Sequence, residues 1–258
     1  MAIKELPTEK TKPVDDPAKL RWLFYSEPKT GKTTLAAGFN DPIFLITERS
    51  TESIAAYAVP IKSWEDFRDV VELLIRGNHK FKTAVVDVVD VLYRYCIEFC
   101  CKRLNIVHQS DIGFAKGYHS VDNEFEHWLN KLEMSGIGLI FTSHLAEKEV
   151  NTGKSTFTKI IPGLQPRGRT ILEPKVSVIG HLRWEKLKKE GTVKLEYDNK
   201  LVIQFKQTAE LLVGDRTGRL PDKLILHTIP DNTPTTEMPR LIEEYGKKNY
   251  ELIASYFK

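Results

Sequence analysis

The chain has 258 residues, of which 41% are hydrophobic and 28% charged. That is enough to bury one sizeable core, and it excludes collagen-like, low-complexity and wholly disordered classes. The net charge of +3 neither demands nor excludes a nucleic-acid partner. No apolar run approaches the roughly 20 residues a membrane-spanning helix needs, so no membrane partner is expected.

Residues 1–20 are polar and rich in Pro, Lys and Asp, which reads as a flexible tail and not as a secretory signal. Arg21–Tyr25 is a short apolar run ending in turn residues, a buried strand. Thr33–Phe39 suits a helix, and Ile43–Thr47 is a second continuous apolar strand. Ser63 caps a helix through Ile75, with Trp64, Phe67, Val70, Val71, Leu74 and Ile75 on one stripe. Thr83–Val89 is a third strand, and Val91–Leu104 and Asp122–Met134 are helical by periodicity. Ile137–Thr142 is a fourth strand. Strands apolar on both faces and alternating with helices predict an α/β fold, a parallel sheet covered on both sides. Cys96, Cys100 and Cys101 are clustered and odd in number, so they read as reduced core thiols of a cytoplasmic protein.

After His144 the pattern changes. Residues 146–169 carry Gly, Pro, Thr, Ser and Lys with little periodicity, which predicts a long loop. Val176–Trp184, Val193–Tyr197 and Leu201–Phe205 alternate, with Asn199 in a turn between the last two, and predict an antiparallel extension of the sheet. Residues from Thr235 onward read as terminal helices. The domain reading is a tail over 1–20, one α/β domain over 21–230 and a helical tail over 231–258.

The strongest motif is Ser26-Glu27-Pro28-Lys29-Thr30-Gly31-Lys32-Thr33, followed by Thr34. It fits the phosphate-loop pattern G-x4-G-K-[ST] except for Ser26 in place of Gly. Backbone N–H groups of such a loop point at phosphates. Lys32 would reach the β- and γ-phosphates and the Thr33 hydroxyl would bind Mg2+. Strand and helix flank the motif as that mechanism requires, so residues 26–34 are the candidate nucleotide-binding set, for ATP.

Three strand ends supply further chemistry. Asp87 closes an apolar strand, where a phosphate-loop enzyme places its metal-ordering carboxylate. Asp90 competes with it but reads better as the N-cap of the Val91 helix. Glu48 closes the second strand, at the carboxyl edge where open α/β sheets bind ligands, and could orient or deprotonate the attacking water. The fourth strand ends in Thr142-Ser143-His144, polar residues able to sense a γ-phosphate. Over 148–169, Lys148, Lys154, Lys159, Arg167 and Arg169 stand against Glu149 alone, with Phe157 interleaved to stack on a base. That predicts a surface for single-stranded DNA without sequence code.

These residues together resemble the RecA-like ATPase core. More closely, Ile43–Glu48, Phe141–Lys148 and Gly214–Leu220 resemble phage-encoded single-domain RecA-like ATPases that act as single-strand annealing recombination proteins. The resemblance covers roughly residues 20–222. It implies a RecA-like P-loop NTPase fold with a C-terminal antiparallel extension. It implies that Glu48 is the catalytic glutamate, acting with Lys32, and that His144 couples the γ-phosphate to DNA binding by the segment that follows. It also implies an ATP site completed across a homo-oligomer by a basic residue, Lys206 first, with Arg216 and Arg219 as alternatives. Implied partners are single-stranded DNA and a single-stranded DNA-binding protein, in the host cytoplasm if the protein is phage-encoded. Two rival readings remain: an ATP-regulated recombination mediator with negligible hydrolysis, and a P-loop small-molecule phosphotransferase.

Overall fold

A computed structural model describes residues 8–52, 54–153, 155–188, 197–230 and 238–258. Strand β1 (Arg21–Ser26) leads into the short helix α1 (Lys32–Ala37), and β2 (Pro42–Ile46) and β3 (Tyr57–Pro60) follow. Helix α2 (Trp64–Arg76), β4 (Thr83–Asp87), α3 (Val89–Arg103) and α4 (Lys116–Glu133) come next. They are followed by β5 (Gly138–Asn151), β6 (Thr156–Pro162), α5 (Pro166–Leu172), β7 (Val178–Lys188), β8 (Tyr197–Gln204), β9 (Gly214–Asp215), β10 (Lys223–Pro230) and α6 (Met238–Ala254). The sheet order is β10-β8-β7-β1-β5-β4-β2-β3, with β6 on β5 and β9 on β7. Every pair from β7 to β3 is parallel; β8, β9 and β10 join antiparallel. The fold is therefore the expected α/β fold, a mainly parallel sheet flanked by helices, with a C-terminal antiparallel extension.

The apolar strands are continuous because both faces are covered. Leu23, Leu45, Val86 and Phe141 pack beneath α2, α3 and α4, whereas Trp22, Phe24, Phe44 and Ile140 pack beneath α1 and the chain's C-terminal end. Cys96 and Cys100 are wholly buried on α3, in the first of these layers. Ser63 caps α2 by accepting from the Asp66 N–H at 3.1 Å, and Gly77 ends it at φ 70°. Among the described residues no helix is long and apolar enough to cross a membrane.

Several elements differ from the sequence expectation. The segment 146–169 is not a loop. β5 runs nine residues past Thr142 and returns as β6, forming a hairpin, and α5 follows. Beyond its base, where Ile161 is buried and Ile160 packs against Tyr25, Leu211 and Val213, the hairpin is largely exposed, and its strands carry Lys, Glu and Thr instead of a continuous apolar stripe. Asn199 is not in a turn: Tyr197–Gln204 is one strand, whose ladder continues through Glu185↔Lys200 and Lys186↔Asn199. Residues 193–196 of the expected strand lie outside the described residues. Helix α4 begins at Lys116 instead of Asp122, because Gly117 lets its first turn close on Gln109; a Cβ there would stand 2.2 Å from the Gln109 carbonyl oxygen. β3 and β10 were outside the expected elements, β3 because it is a short edge strand with Tyr57 exposed.

The two ends of the domain also join the core. Pro17, Ala18 and Leu20 are buried, and Trp22 Nε1 donates to the Pro17 carbonyl at 2.8 Å. Helix α6 lies against α1 with Gly246 facing Gly38, and Ile253 and Phe257 are buried in the same layer. A Cβ at Gly38 would stand 1.8 Å from the Gly246 carbonyl oxygen, a backbone atom that cannot swing aside. Gly38→Ala must therefore push the two helices apart, with an expected loss of about 3 kcal/mol. Urea unfolding that shows no loss would mean that α6 is not seated on α1.

Candidate functional site

The site is built where the parallel strands end. The registers align Ser26 with His144 and Ile46 with Asp87, so β1, β2, β4 and β5 deliver their last polar residues to one edge. Glu48 follows β2 by two residues, and Thr47 ties that corner to β4. Its N–H donates to the Asp87 carbonyl at 2.9 Å, and its hydroxyl accepts from the Val88 N–H at 2.9 Å.

Residues 26–34 close a compact loop. Ser26 is fully buried and needs no left-handed backbone, which is why a residue other than Gly serves there. Its hydroxyl donates to the Glu27 carbonyl at 2.8 Å, and the Thr30 hydroxyl donates to the same oxygen at 2.8 Å. Glu27, Pro28 and Lys29 are exposed. Gly31, at φ 108°, makes the turn into α1. Lys32 is buried and curls back onto its own loop. Its ammonium donates to Ser26 Oγ at 3.0 Å, to the Ser26 carbonyl at 3.2 Å and to the Glu27 carbonyl at 3.1 Å. Burial pulls its pKa below the usual lysine value, and Asp87, Asp90, Glu27 and Glu48 oppose that. The loop thus holds a desolvated cation in want of an anion, which fits a polyphosphate.

Thr33 Oγ1 donates to Asp87 Oδ2 at 2.9 Å, and Thr142 Oγ1 donates to Asp87 Oδ1. Asp87 is almost wholly buried. Thr33 and Asp87 thus bring two hard oxygen ligands together beside the loop. That donor set fits Mg2+, which keeps several waters and takes phosphate oxygens. When bound, the ion would neutralise charge on the phosphates, while Thr142 holds the carboxylate in place.

Asp90 is not the N-cap expected of it. Helix α3 begins two residues earlier, at Val89, with no side-chain cap, so Asp90 falls in the first turn and faces the end of β5. It accepts from Ser143 Oγ at 2.6 Å and from the His144 backbone N–H at 2.7 Å, and pairs with His144 Nδ1 at 3.1 Å. The other ring nitrogen, Nε2, lies 3.4 Å from Glu48 Oε2. His144 therefore bridges two carboxylates. The hydrogen bond to Asp90, with the charges of Asp90 and Glu48, raises its pKa above the usual value, against burial and Lys32. Only the polar run Thr142-Ser143-His144 and the second carboxylate after Asp87 hinted at this arrangement.

The raised pKa carries a stability prediction. The folded protein holds this proton more tightly than the unfolded chain does. The gain is full below the ordinary imidazole pKa and is lost as pH rises through the raised value. The stability advantage of the native protein over His144→Gln should shrink as pH rises above the ordinary imidazole value of about 6.5. A pH-independent difference in urea unfolding would show that the bridge does not depend on a protonated ring.

The candidate DNA residues separate. Lys148 and Lys159 are directly opposed across the β5–β6 hairpin, and Phe157 opposes Val150 on the same face. Lys154 lies outside the described residues. Arg167 and Arg169 sit on α5. Arg167 pairs with Asp122 and lies over the Tyr118 ring at 4.8 Å. Arg169 pairs with Glu173 at 3.2 Å and donates to the Pro162 carbonyl. Both are engaged in holding α5, and Glu173 feels the charge of Lys159 as well as that of Arg169.

Of the basic residues expected to act in trans, Lys206 is exposed and paired with Asp222 at 2.6 Å. Arg216 donates to the Pro174 carbonyl at 2.7 Å, and Arg219 donates to the Val14 and Phe257 carbonyls at 3.1 and 3.4 Å. Arg219 braces the two ends of the domain and Arg216 the segment after α5, whereas the Lys206 pair is exposed. A cavity of about 1030 Å3 lies at the other end of α1, lined by Phe39, Asn40, Lys82 and Lys247, away from the phosphate loop.

No curated protein matches the sequence. Among solved structures the chain is similar to a KaiC-like protein from the hyperthermophilic archaeon Pyrococcus horikoshii OT3. The identity is 15% and the TM-score 0.41, over 75% of this chain and 81% of that one. A family model described as an AAA domain matches residues 18–217. That span runs from the buried Ala18 through the phosphate loop, the Asp87 strand and the His144 hairpin, and with it the chain belongs to the AAA domain family.

Proposed function

We propose that the protein is a Mg2+-dependent ATP hydrolase that binds single-stranded DNA and promotes annealing or strand pairing in homologous recombination, in the manner of phage-encoded RecA-like annealing proteins. One observation carries the coupling part of this reading. His144 pairs with Glu48 and Asp90 at the point where β5 leaves the sheet to become the β5–β6 hairpin. The Gly163 N–H, just after β6, donates back to the His144 carbonyl at 2.7 Å, so both hairpin strands are anchored at this residue.

In this reading Lys32, Thr33 and Asp87 hold phosphate and metal, Glu48 orients water, and His144 passes the state of that water to the hairpin. Like charges directly opposed on a ladder destabilise it, so Lys148 opposite Lys159 makes sense if a phosphate backbone lies between them. Phe157, two residues before Lys159, offers a ring for a base. A homo-oligomer and a single-stranded DNA-binding protein remain the proposed protein partners, with Lys206 the basic residue offered to a neighbour's site.

The test is phosphate release and DNA binding, titrated with single- and double-stranded DNA at several salt concentrations. Single strands should stimulate hydrolysis. Replacing both Lys148 and Lys159 by Glu should weaken binding and lower the log–log salt slope by about two. Unchanged binding in that variant would remove the hairpin from the DNA site. Tight DNA binding with no phosphate release would select the mediator reading instead. Phosphoryl transfer to a small acceptor without DNA binding would select the phosphotransferase.

A further inference from the structure

We infer that the β7–β8–β10 face above the phosphate loop is a nucleobase seat, on which Trp184 forms the platform for the base of a bound purine nucleoside triphosphate. The inference deepens the nucleotide reading above and rests on it.

The direction of the triphosphate follows from where its partners lie. Asp87, Glu48 and His144 stand at the ends of β4, β2 and β5, all on one side of β1 in the sheet. The γ end must point that way. The nucleoside end therefore leaves on the other side of β1, toward β7 and β8.

A surface waits there. β7 pairs with β1 only as far as His181 and then runs on beyond the sheet edge, paired with β8. Leu201 on β8 touches the loop: a Cβ built on Gly31 would lie 3.5 Å from Leu201 Cδ2. Trp184 opposes Leu201 from β7, and His227 opposes it from β10. Directly opposed residues share a face. Trp184, Leu201 and His227 thus form a row above Gly31, on the same side of the sheet as α1.

The row is rigid and apolar. The His227 ring stacks on Tyr245 at 4.1 Å and 2°, and meets Trp184 edge-on at 5.5 Å. It also shares a hydrogen bond with the buried Asn249. Burial lowers the His227 pKa, so the ring is neutral at pH 7. Trp184 is 41% exposed, whereas Trp22, Trp64 and Trp128 are all buried. Arg183, the charged neighbour, points to the opposite face and is held by Glu185 and Gln204. The seat therefore meets a base by its flat face, with Lys186 and Asn199 next along the same face of the ladder. Stacking gains with ring area, so purine triphosphates should bind tighter than pyrimidine ones.

Tryptophan fluorescence of the full chain reads this directly. Mg2+ with ATP or GTP should quench the emission, CTP should quench less, and inorganic tripolyphosphate should bind without quenching. In Trp184→Leu the quench should vanish and the ATP Kd should rise roughly tenfold, with tripolyphosphate affinity unchanged. Trp184→Phe keeps a ring of the same kind and should hold ATP within about threefold, which separates lost stacking from damage to the fold. Equal quenching by tripolyphosphate and ATP, or undiminished ATP affinity in Trp184→Leu, would overturn the seat and leave the phosphate-loop reading standing. A native protein that binds neither ATP nor tripolyphosphate would overturn both.

Discussion

Replacing Lys32 by Ala is expected to abolish nucleotide binding while leaving the fold intact or slightly firmer. The reason lies in the surroundings of the ammonium. It is buried against its own loop, satisfied by carbonyl and hydroxyl oxygens that carry no full charge, and its pKa is depressed by burial. A desolvated cation held this way costs stability until an anion arrives. Its hydrogen bonds to phosphate would be charge-assisted, each worth roughly 1.5–3 kcal/mol. Losing them should weaken ATP binding a hundredfold or more. A thermal-shift series with Mg2+ and ATP checks both halves at once. The native protein should gain Tm with ligand, and Lys32→Ala should gain none while starting from a Tm no lower. A variant that still gains Tm like the native protein would remove Lys32 from the phosphate site.

Glu48→Gln should separate binding from hydrolysis. Glu48 is partly exposed at the end of the β2 strand, with no hydrogen bond to the loop or to the Thr33–Asp87 pair, so nucleotide affinity should stay within about threefold. The amide has nearly the shape of the carboxylate but cannot take a proton from water. A positioned general base contributes on the order of 10²–10⁴ in rate, and single-turnover hydrolysis should fall by that much. The substitution also removes one of the two negative charges that raise the His144 pKa, so the pH dependence of stability described above should move to lower pH in the same variant. Hydrolysis at the native rate would leave Glu48 as a partner of His144 only.

Much of this was legible before the fold was known. Elements buried on both faces announce themselves. Arg21–Tyr25, Ile43–Thr47, Thr83–Val89 and Ile137–Thr142 are apolar because helices cover both sides of them, and the structure places strands at all four. The phosphate loop is equally plain, because its chemistry needs particular residues at consecutive positions. Asp87 and Glu48 could be named because each ends such a strand. What failed were elements held by few apolar contacts. The β5–β6 hairpin is buried only at its base, so most of its alternation carries charge and hydroxyls instead of hydrophobicity. β3 is a short edge, and α4 starts early through a glycine contact that no periodicity reports.

The amino-acid sequence by itself determined the parallel core, the loop that meets phosphate and the carboxylates at the strand ends, because each depends on residues adjacent in the chain. The tertiary structure alone decided which of those groups touch. Asp90 became the anchor of His144 instead of a helix cap because α3 begins two residues earlier than its periodicity suggested. Arg167 and Arg169 left the basic surface because α5 carries them to Asp122 and Glu173. Trp184 came to stand above Gly31 only through the register of three strands far apart in sequence. Side-chain chemistry is written residue by residue, but contact at 3 Å depends on packing between distant segments, and a single chain's periodicity carries no record of that packing.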